Sequence, residues 1–557
     1  MDKIILTLLI IITTITRFYH LGQAPPGLLV DELSYGYNAY SLLLTGTDEW
    51  GQRYPLTLQA FGDYKPAGYL YLLLPFVKLF DLTSFSVRLP SAVFGIISVI
   101  VTVFFVYNLT GDKLASFLSG LLLFVSPWHI LLSRMAWESN VAQSFFLLGL
   151  VFFLYQNKYK LFPYLAAFFL FIPMFFYTAF RLTVPLLIPL LIYYWLKKKK
   201  SVKKKLLIFI ISFILISVLI LPGIISQGGL TRLSQVNIFS QKAIVMYIDE
   251  QRSFCAFQGN NLLNKFCYLV WNKPAVYFSS FWKKYLANLS NDFLFLKGDQ
   301  ALFLNIPGYG ALYLILLPFF LTGLWFIADN FKKNLNYRFL TFFLLLSPLT
   351  PAMAGDPHYV RSNNTLWAVT LISSLGLVRV NNFLKKRISV RILSSIFLLL
   401  ISINLTVFSL DYFFSYSKKA MAWNEQFGGA FRYLKEIESD YDRIYIKKMT
   451  VSPYIYLLFY TKYDPGLLAS DMIRSGDQVE SVGKYHFTEM QIDSIYCRWR
   501  QSNKANTVFV SDNQLADQAL FTVKSYNQVH QLLNIYDMSQ YEEYLIRTKK
   551  QIPYCQI

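Results

Sequence analysis

Charged side chains are scarce in this chain of 557 residues. Asp, Glu, Lys and Arg together make up 15% of it, whereas 55% of the residues are hydrophobic and the mean hydropathy is +0.40. So little charge excludes a disordered or nucleic-acid-binding tail protein and argues against a water-soluble enzyme. Aromatic residues reach 18%, which is typical of chains whose rings face lipid and the bilayer interface. The composition therefore indicates an integral membrane protein.

The short motifs of common cofactor chemistry are also missing. The sequence has no P-loop, no GxGxxG dinucleotide motif, no HExxH zinc motif, no GxSxG nucleophile motif and no internal repeat. We therefore expect an activity that requires no nucleotide cofactor.

Acidic residues are few, 32 against 52 Lys and Arg, so the net charge is +20. The basic excess is gathered into short runs that lie between apolar stretches. Because cytoplasmic loops of membrane proteins are rich in Lys and Arg, these runs indicate cytoplasmic loops rather than a nucleic-acid surface. The runs are 197-KKKKSVKKK-205, 331-FKKNLNYR-338 and 383-FLKKRISVR-391.

The predicted sidedness depends on the short apolar segment 66–80. A full crossing needs about 20 residues, and this segment is shorter and contains Pro66, Pro75 and Lys78. If it lies along the membrane surface, every basic run becomes cytoplasmic. We therefore expect a surface helix at 66–80, an N-terminus in the cytoplasm and a C-terminus outside.

This topology predicts an all-α, multi-pass cell-membrane domain at 1–412, followed by a small extracytoplasmic α/β domain at 413–557. Two loops are expected on the outer side of the membrane. They are a first loop at 21–86, expected to contain juxtamembrane helices, and a long loop at 225–308. About eleven spans are expected, at 4–20, 87–108, 114–133, 141–156, 161–179, 182–196, 206–224, 309–328, 339–355, 364–380 and 392–412.

The polar C-terminal segment alternates two kinds of pattern. Short β-rich runs at 443–446 and 507–510 are separated by helical stretches at 453–460 and 514–520. This alternation is the basis for the expected α/β domain.

Cysteine is rare, and all four cysteines fall in segments expected outside. Cys255 and Cys267 share the long loop, and Cys497 and Cys555 share the tail. Two local disulfides in an oxidising compartment fit this placement, and so do four reduced, buried thiols. Metal ligation is less attractive because no CxxC pair or neighbouring His accompanies them.

Ionisable residues are absent from the middles of the expected spans. An ion-coupled transporter would place some at mid-membrane, so this pattern favours chemistry at the outer surface. Asp31 and Glu32 lie there, where the apolar run 24–30 meets a Tyr-rich amphipathic stretch. Such adjacent carboxylates can divide the roles of base and orienting group. The alternative is that they only cap a helix N-terminus.

Lys65 is expected to open the surface helix, where its ammonium could bind a lipid phosphate or merely anchor the helix. Two further outward turns carry charge and could complete a cationic collar for a phosphate, or could be ordinary solvated helix caps. These turns contain Arg134 and Glu138, and Asp356, His358 and Arg361.

Together, these segments resemble the GT-C glycosyltransferases that use polyprenyl-phosphate sugars. This superfamily includes the protein O-mannosyltransferases and the lipid A aminoarabinose transferases, and the chain looks most like the family-39, PMT-like branch. The resemblance is strong over 1–200, weaker over 300–380 and absent in the tail. The segments that carry it are the Asp31-Glu32 pair, Lys65-Pro66, 87-VRLPSAVFG-95, 133-SRMAWESN-140, 299-DQALFLNIPGYGALYL-314 and 356-DPHYVR-361.

The resemblance implies a role for each matching residue. Asp31 corresponds to the general base or acceptor-orienting acid, with Glu32 supporting it and Glu138 as the second-loop acid. Lys65 corresponds to the residue that contacts the donor phosphate, and Arg134 and Arg361 are further phosphate partners.

One departure concerns metal binding. The lipid A enzymes have an acid directly before this lysine, suggested to help hold a metal, whereas here Tyr64 precedes Lys65 and the acid is Asp63. Asp63, Tyr64 and His358 are therefore candidates for a substrate or metal contact, and a divalent metal is placed in doubt.

The implied reaction moves a sugar from a polyprenyl-phosphate donor to an acceptor hydroxyl, with inversion, on the outer face of the membrane. The partners are the lipid-linked donor, the bilayer and a protein, lipid or polysaccharide acceptor, with no nucleic acid. The alternatives are an oligosaccharyl or cell-wall polymer transferase of another GT-C branch, a lipid-linked-sugar flippase and a non-catalytic membrane scaffold. The sequence discloses neither the sugar nor the acceptor nor the oligomeric state.

Overall fold

The computed structural model describes most of the chain. Residues 1–2, 199–202, 225–241, 258–260, 386–388, 417–422, 449–451, 513–518, 525–530, 549–552, 554 and 556–557 are outside the description. Part of the lysine-rich run 197–205, part of the loop 225–308 and most of the helix expected at 514–520 therefore lie outside the described residues.

Helices dominate the first three quarters of the chain. The first eleven are α1 (Lys3–Phe18), α2 (Val30–Thr45), α3 (Gly68–Phe80), α4 (Ser84–Thr110), α5 (Lys113–Val125), α6 (Pro127–Ser133), α7 (Glu138–Tyr155), α8 (Phe162–Phe171), α9 (Pro173–Phe176), α10 (Phe180–Lys198) and α11 (Lys203–Ile224). They are followed by α12 (Lys242–Phe257), α13 (Asn261–Val270), α14 (Lys273–Ala287), α15 (Leu317–Asp329), α16 (Leu335–Leu346), α17 (Leu349–Ala354), α18 (Tyr359–Leu384) and α19 (Val390–Leu410).

The chain has fewer membrane-length helices than the sequence predicts. Within the described residues, seven helices are long and apolar enough to cross a membrane, and an eighth span is possible if α5 and α6, bent by 63° at Ser126, count as one. The expected spans 4–20, 161–179 and 309–328 contain only shorter helices. Proline explains one break, because Pro173 opens α9 directly after α8. The seven are Ser84–Thr110, Glu138–Tyr155, Phe180–Lys198, Lys204–Pro222, Leu335–Ala354, Tyr359–Leu384 and Ile392–Ser415.

The first loop contains a β-hairpin that the sequence reading missed. Strands β1 (Thr57–Ala60) and β2 (Asp63–Pro66) pair across Phe61 and Gly62, whose φ angles of 55° and 74° suit a tight hairpin turn. Lys65 therefore lies on β2 and does not open the helix, which begins at Gly68. The expectation that Lys65 heads a helix was wrong because the turn pairs its strand with β1.

The C-terminal segment forms the expected mixed α/β structure. Its strands are β3 (Arg443–Lys447), β4 (Met472–Ser475), β5 (Gln478–Val482), β6 (Tyr485–Thr488), β7 (Thr507–Ser511), β8 (Phe521–Lys524) and β9 (Gln531–Asp537). Its helices are α20 (Glu425–Ile437), α21 (Pro453–Tyr460), α22 (Leu468–Asp471), α23 (Ile492–Gln501) and α24 (Met538–Arg547). The runs predicted at 443–446, 507–510 and 453–460 correspond to β3, β7 and α21.

These strands form one seven-stranded sheet in the order β4-β5-β6-β3-β7-β9-β8. The central strand β3 pairs in parallel with β6 and β7, and the outer pairs are antiparallel. Side chains alternate across β3, so Tyr445 packs with Phe509, Trp499 and Tyr541 in the core beneath α23 and α24.

Both predicted cysteine pairs are joined. Cys255 is bonded to Cys267 and Cys497 to Cys555, with Cα separations of 6.2 and 5.3 Å. The structure therefore shows two disulfides and not four reduced thiols. This pairing fits an oxidising compartment.

The chain forms two compact units. Unit 1 comprises 1–19, 64–68 and 91–408, and unit 2 comprises 20–63, 69–90 and 409–557. Most of the first loop thus belongs to the same unit as the C-terminal sheet. The predicted candidate residues are divided accordingly, with Asp31, Glu32 and Asp63 in unit 2 and the others in unit 1.

Candidate functional site

In unit 2, Glu32 is held by Arg88 at the start of α2. Arg88 Nε donates to Glu32 Oε1 at 3.0 Å and Arg88 Nη2 donates to Glu32 Oε2 at 3.1 Å, and both side chains are buried. Glu32 Oε2 also accepts from the backbone N–H of Leu29 at 3.0 Å, so it satisfies one of the open amides of the helix N-terminus. Glu32 therefore caps the N-terminus of α2, which is the alternative that the sequence left open for the acid pair.

Asp31 occupies the preceding position in the first turn of α2 and is half-buried. A carboxylate there is stabilised by the positive end of the helix dipole. Because Glu32 is committed to Arg88, the two adjacent acids have different environments, as a division of roles requires. Asp31 is the one that keeps an exposed surface. Asp63, on β2, is also half-buried.

A second acid in the same loop, Glu49, is almost fully buried, with 3% of its surface exposed. Its Oε1 accepts from Asn38 Nδ2 at 3.1 Å, and the Tyr454 hydroxyl is also a hydrogen-bond partner of the carboxylate. Burial raises the pKa of Glu49 to about 7, although Asn38 and Arg474 act in the opposite direction. Arg474 donates to the carbonyl of Glu49 and stacks on the Trp50 ring.

We expect Glu49 to make the stability of the protein depend on pH. The ordinary pKa is 4.5 and the folded value is about 7, so between these values the folded protein keeps a proton that the unfolded chain has released. Stability is therefore lost as the pH rises from 4.5 to 7, by about 3 kcal/mol. Glu49→Gln should abolish this loss and raise the melting temperature at pH 8 while leaving it unchanged at pH 4.5.

Melting curves of the detergent-solubilised protein across this pH range test the prediction. Glu480→Gln is the matched control because Glu480 is exposed on β5. Parallel pH profiles for wild type and Glu49→Gln would contradict the assignment of the pH dependence to Glu49.

In unit 1, Arg134 is buried and caps the C-terminal end of α1. Its Nη1 donates to the carbonyls of Thr16 at 2.7 Å and Arg17 at 3.0 Å, and its Nη2 donates to that of Tyr19 at 2.7 Å. These bonds satisfy carbonyls that a helix end leaves open. They favour a structural role for Arg134, since a phosphate contact would compete with them.

Lys65 is buried on β2, with 4% of its surface exposed, and the preceding Tyr64 is half-buried. Glu138 is the first residue of α7 and is also buried, with 5% exposed. Its carboxylate is stabilised by the positive end of that helix, as Asp31 is by α2.

Two segments that carry the sequence resemblance meet at Asp299 and His358. Asp299 Oδ2 accepts from the backbone N–H of Tyr359 at 2.6 Å and lies 3.9 Å from His358 Nδ1. Tyr359 in turn donates its hydroxyl to Asn305 at 3.2 Å. Asp299 thus ties the segment 299–314 to the beginning of α18.

The surroundings of His358 favour its neutral form. Burial lowers its pKa, and nearby Arg361 lowers it further, whereas Asp299 acts in the opposite direction. Arg361 is half-buried and its Nη1 donates to the carbonyl of Ala354 at 3.3 Å. A neutral imidazole can donate and accept a hydrogen bond, which suits contact with substrate hydroxyls.

The donor set does not define a metal site. Within the described part of the chain, His, Cys, Asp and Glu nowhere gather in groups of three or more that could hold a metal ion. Tyr64, with Asp63 one position earlier, also differs from the acid-Lys order of the lipid A enzymes.

Sequence reasoning missed three residues that matter here. Arg88 lies in the motif 87–95. A buried carboxylate such as that of Glu32 needs a cationic partner, so a search for a nearby cation could have found Arg88. In the sequence, the only indication of a special role for Glu49 is its position between Asp48 and Trp50, which is a weak signal. Asp299 was quoted in a matching segment without a role, because its partner His358 is 59 positions away in the sequence.

Comparisons with known proteins identify the fold. No protein-family model and no curated protein matches the chain. The structure of ArnT from Cupriavidus metallidurans bound to undecaprenyl phosphate matches with a TM-score of 0.50 and 12% identity, covering 95% of this chain and 97% of that one. ArnT in the apo state gives a TM-score of 0.51, 11% identity and coverage of 96% and 98%.

The Archaeoglobus fulgidus oligosaccharyltransferase in the apo form is also similar, with a TM-score of 0.48 and 12% identity over 91% of this chain and 69% of that one. The match to ArnT confirms the fold that the sequence resemblance implies. This multi-pass membrane protein has the fold of ArnT along nearly its whole length.

Proposed function

We propose that the protein is a membrane glycosyltransferase that moves a sugar from a polyprenyl-phosphate donor to an acceptor hydroxyl on the outer face of the membrane. The observation that carries this proposal is the ArnT fold over 95% of the chain, since the matching ArnT structure holds undecaprenyl phosphate. The disulfides agree with an extracytoplasmic location for the long loop and the C-terminal segment.

Asp31 is the proposed base or acceptor-orienting acid. Its supporting features are its half-exposed position in the first turn of α2 and the commitment of Glu32 to Arg88. Glu32 then acts by fixing the helix start, and Glu138 is a second acid that could contact the sugar or acceptor.

Lys65 and Arg361 are the proposed phosphate ligands. An ammonium and a guanidinium neutralise a phosphate through charge-assisted hydrogen bonds. Arg134 is a weaker candidate because its donors already hold the end of α1. His358, Asp63 and Tyr64 are proposed to contact sugar or acceptor hydroxyls.

The proposed reaction is a single displacement at the anomeric carbon. The acceptor oxygen forms a bond to that carbon and passes its proton to Asp31, while the bond to the phosphate oxygen breaks and polyprenyl phosphate leaves with the electron pair. A phosphate is already a good leaving group, so neutralising its charge contributes more than protonating it. Attack opposite to the leaving group inverts the anomeric configuration.

The test uses the purified protein in liposomes that contain a polyprenyl-phosphate sugar labelled in the sugar, with a cell-envelope extract added as the source of acceptor. The proposal predicts label in an acceptor and free polyprenyl phosphate, both visible by thin-layer chromatography. Lipid extracts of cells that lack the protein should accumulate the donor, which identifies the sugar. Movement of intact donor across the bilayer without transfer would instead identify a flippase. The absence of both transfer and movement would favour a non-catalytic scaffold.

A further inference from the structure

The C-terminal segment supplies a buried helix that packs against the helix carrying Asp31. Every residue of α21 from Pro453 to Phe459 is buried, and α21 contacts α2 within unit 2. Pro453 stands at the first helical position, where its fixed φ favours the helix and its missing N–H costs nothing. An apolar helix enclosed on all sides is expected to have a precise position.

The contact between the two helices is close. Gly36 on α2 faces Phe459 of α21, and a Cβ at Gly36 would come within 2.7 Å of the Phe459 ring and of Val87. Tyr37 adds a hydrogen bond from its hydroxyl to the carbonyl of Tyr463 at 2.9 Å. The absent side chain at Gly36 therefore lets α21 fix the position of α2.

One side chain of α21 reaches the start of α2. The hydroxyl of the fully buried Tyr456 donates to the carbonyl of Leu28 at 3.2 Å, three residues before Asp31. The Tyr456 ring packs on Phe427 of α20 with ring centroids 4.7 Å apart, and the Asn424 side chain also bonds its hydroxyl. Both ends of Tyr456 are thus held by the C-terminal segment.

The environment of the Tyr456 hydroxyl keeps it protonated. Burial raises the pKa of Tyr456, the hydrogen bond with Asn424 acts in the opposite direction, and the charges of Tyr460, Glu32 and Asp31 raise it further. Arg88 also holds this segment, because it donates to the carbonyls of Pro25, at 2.7 Å, and Gly27. The backbone that leads into Asp31 is therefore held by two side chains, Tyr456 and Arg88.

We propose that Tyr456 is a positioning residue for Asp31, and that the C-terminal α/β segment serves the transfer reaction by holding the start of α2 through this hydroxyl. The inference rests on the proposed function, because it takes Asp31 as the acid that handles the acceptor. In this proposal Tyr456 acts through Asp31 and not by contact with the donor or the acceptor. Small displacements of a catalytic group lower the rate without changing the binding of a donor held elsewhere.

The experiment measures transfer from a polyprenyl-phosphate sugar by Tyr456→Phe, Asp31→Asn and the double variant in liposomes. Tyr456→Phe keeps the ring and removes one hydrogen bond, so we expect kcat to fall about 5- to 10-fold while KM for the donor stays within about twofold. In the Asp31→Asn background the same change should have no further effect, because the residue it positions is no longer functional.

Tyr496→Phe is the matched control, since Tyr496 is buried in the same C-terminal segment and its hydroxyl contacts Glu542. It should keep wild-type kcat. If Tyr456→Phe does not accumulate as folded protein, Phe427→Leu loosens the same ring and should lower kcat in the same way.

Two results would overturn the inference: wild-type kcat in folded Tyr456→Phe, or an equal loss of rate with and without Asp31. The first leaves the proposed function intact as long as Asp31→Asn is inactive. Wild-type turnover by Asp31→Asn alone would remove the role of Asp31 and the inference together.

Discussion

Replacing Asp31 with Asn is expected to lower the rate of sugar transfer by about 10²- to 10⁴-fold, the usual cost of losing a positioned base. Asn keeps the size of the side chain and can still accept a hydrogen bond, but it cannot take the acceptor proton. The fold should survive, since the buried ion pair beside it involves Glu32 and Arg88. The measurement is initial rate in liposomes, normalised to folded protein from size-exclusion chromatography.

Asp329→Asn is the matched control for this substitution. Asp329 forms a largely exposed pair with Lys333 at 3.6 Å and belongs to unit 1. Its loss should leave the rate unchanged. A normal rate in Asp31→Asn would show that another group handles the acceptor, and Glu138 would be the next acid to test.

Replacing Arg88 with Met is expected to destabilise the protein by about 3–5 kcal/mol, because it leaves the buried Glu32 carboxylate without its counter-charge. The change also removes the donors to the carbonyls of Leu21, Pro25 and Gly27. These losses all fall on the segment that leads into Asp31. We expect a low yield of folded protein and a melting temperature several degrees lower.

The double variant Arg88→Met/Glu32→Gln separates charge from packing. It removes the uncompensated carboxylate, so it should recover part of the stability lost in Arg88→Met. Arg88→Lys should stay well below wild type, since an ammonium cannot reproduce the two-point contact with Glu32 and three carbonyl contacts. An unchanged melting temperature in Arg88→Met would contradict the importance of this pair.

Much of the fold followed from local pattern. Apolar runs bounded by basic clusters predict membrane helices, and β-rich runs at 443–446 and 507–510 predict strands, because these signals depend on residues close in sequence. Fewer of the described helices reach membrane length than the eleven expected spans, because hydropathy does not show where a helix bends or ends. Ser126 and Pro173 interrupt apolar stretches that read as continuous.

The candidate site was predictable only in part. Asp31 and Lys65 were found through motif order and stay predictions as functional residues. The strand that carries Lys65 was not found, because the turn at Phe61 and Gly62 decides the pairing of β1 and β2. The capping role of Arg134 was also hidden, since its acceptors in α1 are more than 110 positions away.

The sequence by itself determined that this is a multi-pass membrane protein with its candidate acids in a loop after the first helix. Hydrophobic content, charge placement and short motifs are local properties, so they can be read directly from the chain. Only the tertiary structure decided that Glu32 is held by Arg88, that Glu49 is buried with a raised pKa and that Tyr456 reaches Leu28. These facts depend on long-range packing, which fixes burial and partners that no local pattern contains.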